Sequence, residues 1–129
     1  MIQFEHYALN LNKPHEIAAW YVDTLGCQVV SKMETAPFTV FLADPTGRVF
    51  WELYRNPQAP FSGVCNCDPL EYHLAFAVDD PEAWKARILD AGGSYVTTVE
   101  TGSGSVLVMM RDPWGIALQL CKRIPPMVG

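Results

Sequence analysis

No run of lysine or arginine occurs in this chain of 129 residues; its nine basic residues lie scattered among fourteen acidic ones, for a formal net charge of −5. A nucleic-acid binder needs a basic stripe or patch, so that class is excluded. No apolar run approaches the roughly 20 residues that a membrane-spanning helix requires. The N-terminus opens directly on a strand-like segment, without the charged-then-apolar pattern of a leader, so a cytoplasmic location is expected. Cysteine is sparse, at four residues. The close pair Cys65 and Cys67 has C-x-C spacing rather than the C-x-x-C of a zinc knuckle or a thioredoxin-like site, which leaves free thiols in a reducing compartment as the expectation. What the chain has in quantity is apolar material, 50% hydrophobic and 12% aromatic, enough for one packed domain and incompatible with disorder.

The chain also says one thing twice. Residues 6–52 run from HYALNL through a helix-like stretch and a Leu25-Gly26 break to DPTG and FWELY. Residues 73–119 run from HLAFAV through a second helix-like stretch and an Ala91-Gly92-Gly93 break to DPWG and ALQLC. His6 and His73 are 67 residues apart, as are Gly26 and Gly93, and Glu52 and Gln119; Asp44 and Asp112 are 68 apart. Two halves that each supply a histidine and a Glu or Gln suggest a single site at their pseudo-twofold seam.

Periodicity predicts the elements. Ile2–Asn10 alternates as a strand, His15–Thr24 has helical spacing between Pro14 and Gly26, and Cys27–Glu34, Pro37–Ala43 and Arg48–Arg55 read as strands. Asn56–Asp68, with two prolines and a glycine, reads as a linker. Then come strand Glu71–Val78, helix Pro81–Ala91 capped by Asp79 or Asp80 with Trp84, Ile88 and Leu89 turned inward, and strands Ser94–Thr101, Ser105–Arg111 and Ile116–Arg123. The fold class is therefore α+β: module one over residues 1–55, linker 56–68, module two over 69–123, and a short tail over 124–129, forming a single domain. Each module is βαβββ. A four-stranded sheet with one helix covers only one face, so the opposing copy is the expected partner for the other. Alternation puts Leu53, Leu118 and Leu120 on the helix side and Glu52 and Gln119 on the opposite side, an assignment that a one-residue register slip would reverse. Open sheet edges make a homodimer the expected assembly, with the modules either closing within one chain or swapping with a partner.

These fragments in this order resemble the vicinal oxygen chelate superfamily, which includes glyoxalase I, methylmalonyl-CoA epimerase, extradiol dioxygenases and the fosfomycin- and bleomycin-resistance proteins. The resemblance rests on HYALNL with Trp20-Tyr21 and Leu25-Gly26, the two DP-x-G turns and HLAFAVDD, and covers nearly the whole chain. It implies paired βαβββ modules forming a U-shaped mixed sheet around a cavity, with a divalent metal held by one residue from the first and last strand of each module. Carried over by position, the metal ligands are His6, Glu52, His73 and Gln119. The first copy has one more residue between its turn glycine and its ligand than the second. Gln119 stands where the glyoxalases and dioxygenases of the superfamily usually have Glu, and Asn10 stands where glutathione-specific members usually place an arginine.

Two imidazoles, one carboxylate and one amide oxygen suit Zn, Ni, Co, Mn or Fe(II) and leave room for a small substrate with adjacent oxygens. Singly, each of these residues is more simply a core or surface group; only the four at symmetry-related positions favour a metal. Glu52 is the candidate catalytic base of a glyoxalase-type isomerase, lyase or epimerase, because an amide at Gln119 has no useful basicity. Phe50, Tyr54, Glu71 and Cys121 share the cavity-side parity and are the candidate substrate-facing residues. His15 is expected on exposed helix surface. Two alternatives stand beside this reading. One is an Fe(II) ring-cleaving dioxygenase built on His6, His73 and Glu52; the other is a metal-free small-molecule binding or resistance protein whose aromatic side chains hold the guest.

Overall fold

A computed structural model describes residues 1–128; Gly129, the last residue of the expected tail, lies outside them. The chain divides into two compact units, Met1–Ser62 and Gly63–Gly129. Both are α+β, each a four-stranded mixed sheet with one helix. The first contains β1 (Tyr7–Asn10), α1 (Pro14–Leu25), β2 (Gln28–Lys32), β3 (Val40–Ala43) and β4 (Val49–Tyr54). The second contains β5 (Leu74–Ala77), α2 (Pro81–Asp90), β6 (Ser94–Glu100), β7 (Val106–Arg111) and β8 (Ala117–Lys122). The sheet orders are β1-β4-β3-β2 and β5-β8-β7-β6, with the first pair of each parallel and the rest antiparallel. No helix among the described residues is long and apolar enough to cross a membrane.

The helices lie on one face of their own sheets because only that face is continuously apolar. In the first unit Ile17, Ala18, Tyr21 and Leu25 of α1 are buried, as are Leu9, Val40, Leu42, Trp51 and Leu53 of the strands. Tyr21 meets Trp51 edge to face, with centroids 5.0 Å apart. In the second unit Ile88 is fully buried together with Val108, Met110, Leu118 and Leu120. Removing a side chain of that size from water contributes about 1.5–3 kcal/mol, so a register slip that exposed any row of these would be costly. Leu89 is 43% exposed, although the helical pattern turned it inward. Ile88 fills the helix-side slot, with Pro81 of the first turn also buried, and the residue after Ile88 is rotated about 100° away around the helix.

The strands are shorter than alternation predicts, and the difference is largest at their starts. β1 begins at Tyr7 rather than Ile2, and β5 at Leu74 rather than Glu71. Alternation continues wherever side chains alternate, whereas a strand requires ladder hydrogen bonds. The extra residue of the first copy is accounted for by a bulge. Leu42 pairs with Trp51 but Ala43 with Val49, which leaves Phe50 unopposed, while β7 and β8 pair without interruption. Both edge strands bulge as well, at Val30 in β2 and Val96 in β6.

Residues 56–68 are tied down along their length. Asn10 donates through Nδ2 to the carbonyls of Asn56, Ala59 and Pro60, and accepts from the Asn56 amide through Oδ1. In the second unit Cys65 bridges to Ile116, and the Asn66 amide donates to the Gly115 carbonyl. Asp-Pro steps organise the turns. Asp44 Oδ1 accepts from the amides of Thr46 and Arg48 and from the Thr46 hydroxyl, and Asp112 Oδ1 accepts from the amides of Trp114 and Ile116. Partial burial alone would raise the Asp44 carboxyl; the Thr46 and Arg48 hydrogen bonds and the Arg48 charge bring it below its usual value.

The two DP-x-G turns end on glycines with φ of +93° (Gly47) and +85° (Gly115). A Cβ at Gly47 would meet open space, whereas at Gly115 it would run into the Asn66 side chain. Gly47→Ala should therefore cost about 1–2 kcal/mol, the backbone penalty alone. Gly115→Ala should cost about 1–3 kcal/mol more for the overlap. Urea denaturation of the two variants checks the order; equal losses would contradict it.

Cys27 is buried at the end of α1. Burial pushes its thiol up to about 12, and the Asp44 carboxylate adds to the shift. Between its ordinary value of 9.0 and about 12 the folded chain keeps a proton that the unfolded chain releases. The associated stability is present below about pH 9 and is lost as pH rises through that window. Wild-type stability should therefore fall more steeply from about pH 8.5 to about pH 10.5 than that of Cys27→Ala, read from urea midpoints at each pH.

Candidate functional site

The ladder partners place the duplicated residues in equivalent positions. Ala8 of β1 lies opposite Glu52 of β4, and Ala75 of β5 lies opposite Gln119 of β8. His6 and His73 each precede their strand by one residue and stand two residues before those alanines. Leu53, Leu118 and Leu120 are buried on the helix side, while Glu52 and Gln119 are only half-buried. The parity read from the sequence is the one the sheets adopt.

In the first unit the structure brings two candidate residues together. His6 Nε2 is 3.4 Å from Glu52 Oε1, and the His6 ring packs edge-on against Phe41 with centroids 5.2 Å apart. On the other side of the ring, His6 Nδ1 is 2.9 Å from Glu5 Oε1. In a neutral imidazole with Nδ1–H donated to Glu5, the Nε2 lone pair would face Glu52. Two acceptors facing each other need a cation or a proton between them. The separation exceeds the usual range of an N–H···O bond. It does match two ligand atoms at about 2.1 Å from one tetrahedral ion, which lie about 3.4 Å apart. The donor chemistry of this pair therefore fits a divalent metal.

In the second unit His73 Nδ1 is 2.8 Å from the Pro69 carbonyl. Gln119 Oε1 accepts from the Cys121 thiol at 3.2 Å. Burial raises the Cys121 pKa, and the Arg123 charge and hydrogen bond partly offset it, so the sulfur is a protonated donor at neutral pH rather than a nucleophile. Among the described residues no three of His, Cys, Asp and Glu are grouped so as to hold a metal; the first unit offers the His6–Glu52 pair.

The substrate-facing candidates separate. Tyr54 pairs with Asn10 at the far end of the β1–β4 ladder, on Glu52's side. Phe50 sits at the bulge, where alternation with Glu52 is broken, and its ring tilts at 41° to that of Trp51. Glu71 is an exposed turn residue and not part of a strand, because its amide closes onto the Asp68 carbonyl instead of joining the ladder. Cys121 lies two residues along β8 from Gln119 and engages it directly. His15 is half-buried rather than exposed, stacked edge-on against Phe38 with its Nε2 shielded from solvent.

Three contributors lie outside the duplicated strand pattern: Glu5, Asn10 as a loop clasp, and the Asp68-Pro69 turn. The last had a signal, since Asp-Pro occurs at residues 44, 68, 80 and 112. In every case the Asp carboxylate accepts a backbone amide two or three residues on.

A family model described as Glyoxalase/Bleomycin resistance protein/Dioxygenase superfamily matches residues 3–120. No curated protein matches the chain. Several solved structures share the fold. A lactoylglutathione lyase from Agrobacterium tumefaciens is 21% identical, with a TM-score of 0.65, over 94% of this chain and 93% of that one. TnmS3, an antibiotic binding protein from Streptomyces sp. CB03234, is 18% identical, with a TM-score of 0.66, over 93% of this chain and 94% of that one. A superfamily member from Sphaerobacter thermophilus DSM 20745 is 13% identical, with a TM-score of 0.69, over 95% of this chain and 98% of that one. Matched by that model over most of its length, the chain belongs to the glyoxalase/bleomycin resistance protein/dioxygenase superfamily.

Proposed function

We propose that the protein is a divalent-metal-dependent isomerase, lyase or epimerase of the glyoxalase type, acting on a small substrate with two adjacent oxygens. His6, Glu52, His73 and Gln119 together are the proposed ligands of one ion. The observation that carries the reading is the His6–Glu52 contact, in which His6 Nε2 and Glu52 Oε1 lie 3.4 Å apart. The ion would supply positive charge where negative charge develops on a substrate oxygen. With one carboxylate among four ligands, a divalent site keeps a net positive charge. Glu52 is the proposed base, because the amide of Gln119 has no useful basicity. Gln119 is neutral and serves as a ligand or as a hydrogen-bonding group, so proton movement is assigned to the first unit. Asn10, committed to the loop at residues 56–60, is unavailable to grip an anionic substrate in the way an arginine there would. A substrate without glutathione's carboxylates is the better fit.

A second reading has its own support. Gln119's oxygen is already engaged by Cys121, which removes part of its capacity as a ligand, and an antibiotic binding protein shares the fold. Under that reading the face holding Phe41 and Tyr54 binds a small molecule without metal.

Elemental analysis of protein from metal-replete growth separates the two. The metal reading expects about one divalent ion per chain in wild type and a tenfold or greater loss in His6→Ala. Clearly substoichiometric metal in wild type overturns it, and thermal stabilisation by small ligands but by no metal then favours the second reading. For the loaded enzyme, Glu52→Gln should lower turnover of hemithioacetals or related acids by about 10²–10⁴-fold, the usual contribution of a positioned base.

A further inference from the structure

The geometry points to Glu5 and the Asp68–Tyr72 turn as the positioning elements of the two histidines, each holding its imidazole as the Nδ1–H tautomer so that Nε2 carries the lone pair. This inference rests on the reading of His6 and His73 as metal ligands and says how the chain prepares them.

At His73 the argument needs only the chemistry of the partner. A main-chain carbonyl can accept a hydrogen bond but cannot donate one. With the Pro69 oxygen 2.8 Å away, Nδ1 of His73 must be the protonated nitrogen. At His6 the Glu5 carboxylate, 2.9 Å from Nδ1, imposes the same condition. Two chemically unrelated acceptors, one a side chain and one a backbone group, thus hold the same atom of equivalent residues in the two modules. A histidine kept only for packing could bond through either nitrogen. A histidine that binds through Nε2 must have its proton on Nδ1, and an acceptor there also orients the ring and raises its basicity.

The turn that presents the Pro69 carbonyl is itself built by Asp68. Its Oδ1 accepts from the Leu70 amide at 2.9 Å, and its main-chain oxygen accepts from the amides of Glu71 and Tyr72 at 2.8 and 3.3 Å. Those bonds fold residues 68–72 into one tight turn, in which the Pro69 carbonyl meets the side chain four residues on. Glu5 acts differently. Its side chain is 82% exposed, so its bond competes with water and requires ordering of a flexible arm. The backbone device is the more rigid of the two.

Long-range proton–nitrogen correlation spectra of metal-free, ¹⁵N-labelled protein at about pH 8, above the usual imidazole range, read the tautomers directly. Signals are assigned with His6→Gln and His73→Gln. Wild type is expected to show protonated Nδ1 and unprotonated Nε2 for both residues, and this measurement needs no positioning variant to fold. Asp68→Ala should move His73 toward the Nε2–H form, whereas Asp68→Asn, which keeps the accepting oxygen, should not. Glu5→Ala should do the same to His6, and Glu5→Gln should restore it. Zinc affinity, read by competition with a chromophoric chelator, should fall about tenfold in each alanine variant, the lower end of the range for lost partners of metal-bound histidines.

A wild-type protein with either histidine as Nε2–H overturns the inference, even if it binds zinc, and leaves the metal reading standing. Alanine variants that change neither tautomer nor affinity also overturn it. Nδ1–H tautomers in a protein that takes up no zinc support the positioning and remove only the metal reading.

Discussion

The parallel pairing of the first and last strand in each module is the constraint on which the rest depends. It sets Ala8 opposite Glu52 and Ala75 opposite Gln119, with His6 and His73 at the residues that lead into β1 and β5. That register is held from the other side of the sheet. Trp51, Leu53, Leu118 and Leu120 are buried beneath the helices, and a slip of one residue would move each of them to the opposite face while turning Glu52 and Gln119 inward. The apolar face that packs each helix therefore also selects the side on which the polar groups emerge. Packing energy and site geometry share one variable.

The duplication has diverged at the candidate site residues. One module sets a carboxylate beside its histidine at 3.4 Å, and the other sets an amide whose oxygen is occupied by a thiol. The carboxylate is confined to the first module, and the second has a neutral amide in its place. The same divergence appears in the supports, a glutamate side chain behind His6 and a main-chain carbonyl behind His73. Asn10 belongs to this pattern, because a position on the site-side face has been given over to clasping the loop that follows β4. Membership of a superfamily that includes both catalysts and binding proteins is consistent with a scaffold whose two halves can be tuned separately.

Much of the fold could be read from the residues themselves. Alternation along Phe50–Tyr54 and Ala117–Cys121 identifies the buried side, because a strand has only two faces and leucine marks one of them. The repeated Asp-Pro-x-Gly signals mark the turns for a local reason: the carboxylate caps the amides that follow, and glycine accepts the positive φ. Even the unequal spacing from turn glycine to Glu52 and to Gln119 was visible, though not its form. The bulge at Phe50 is a property of pairing with β3 and has no signature within β4 alone.

What the chain determined by itself was therefore whatever depends on neighbours in sequence: two βαβββ modules, their turns, the sheet face on which Glu52 and Gln119 emerge, and the absence of any basic stripe. Tertiary structure decided the contacts between residues far apart in the chain. It set Glu52 against His6, committed Asn10 to Asn56, buried Ile88 while leaving Leu89 exposed, and folded Glu71 into a turn. The reason is physical: periodicity records which way a side chain points, but which atom it meets depends on the register and packing of strands that only the folded chain brings side by side.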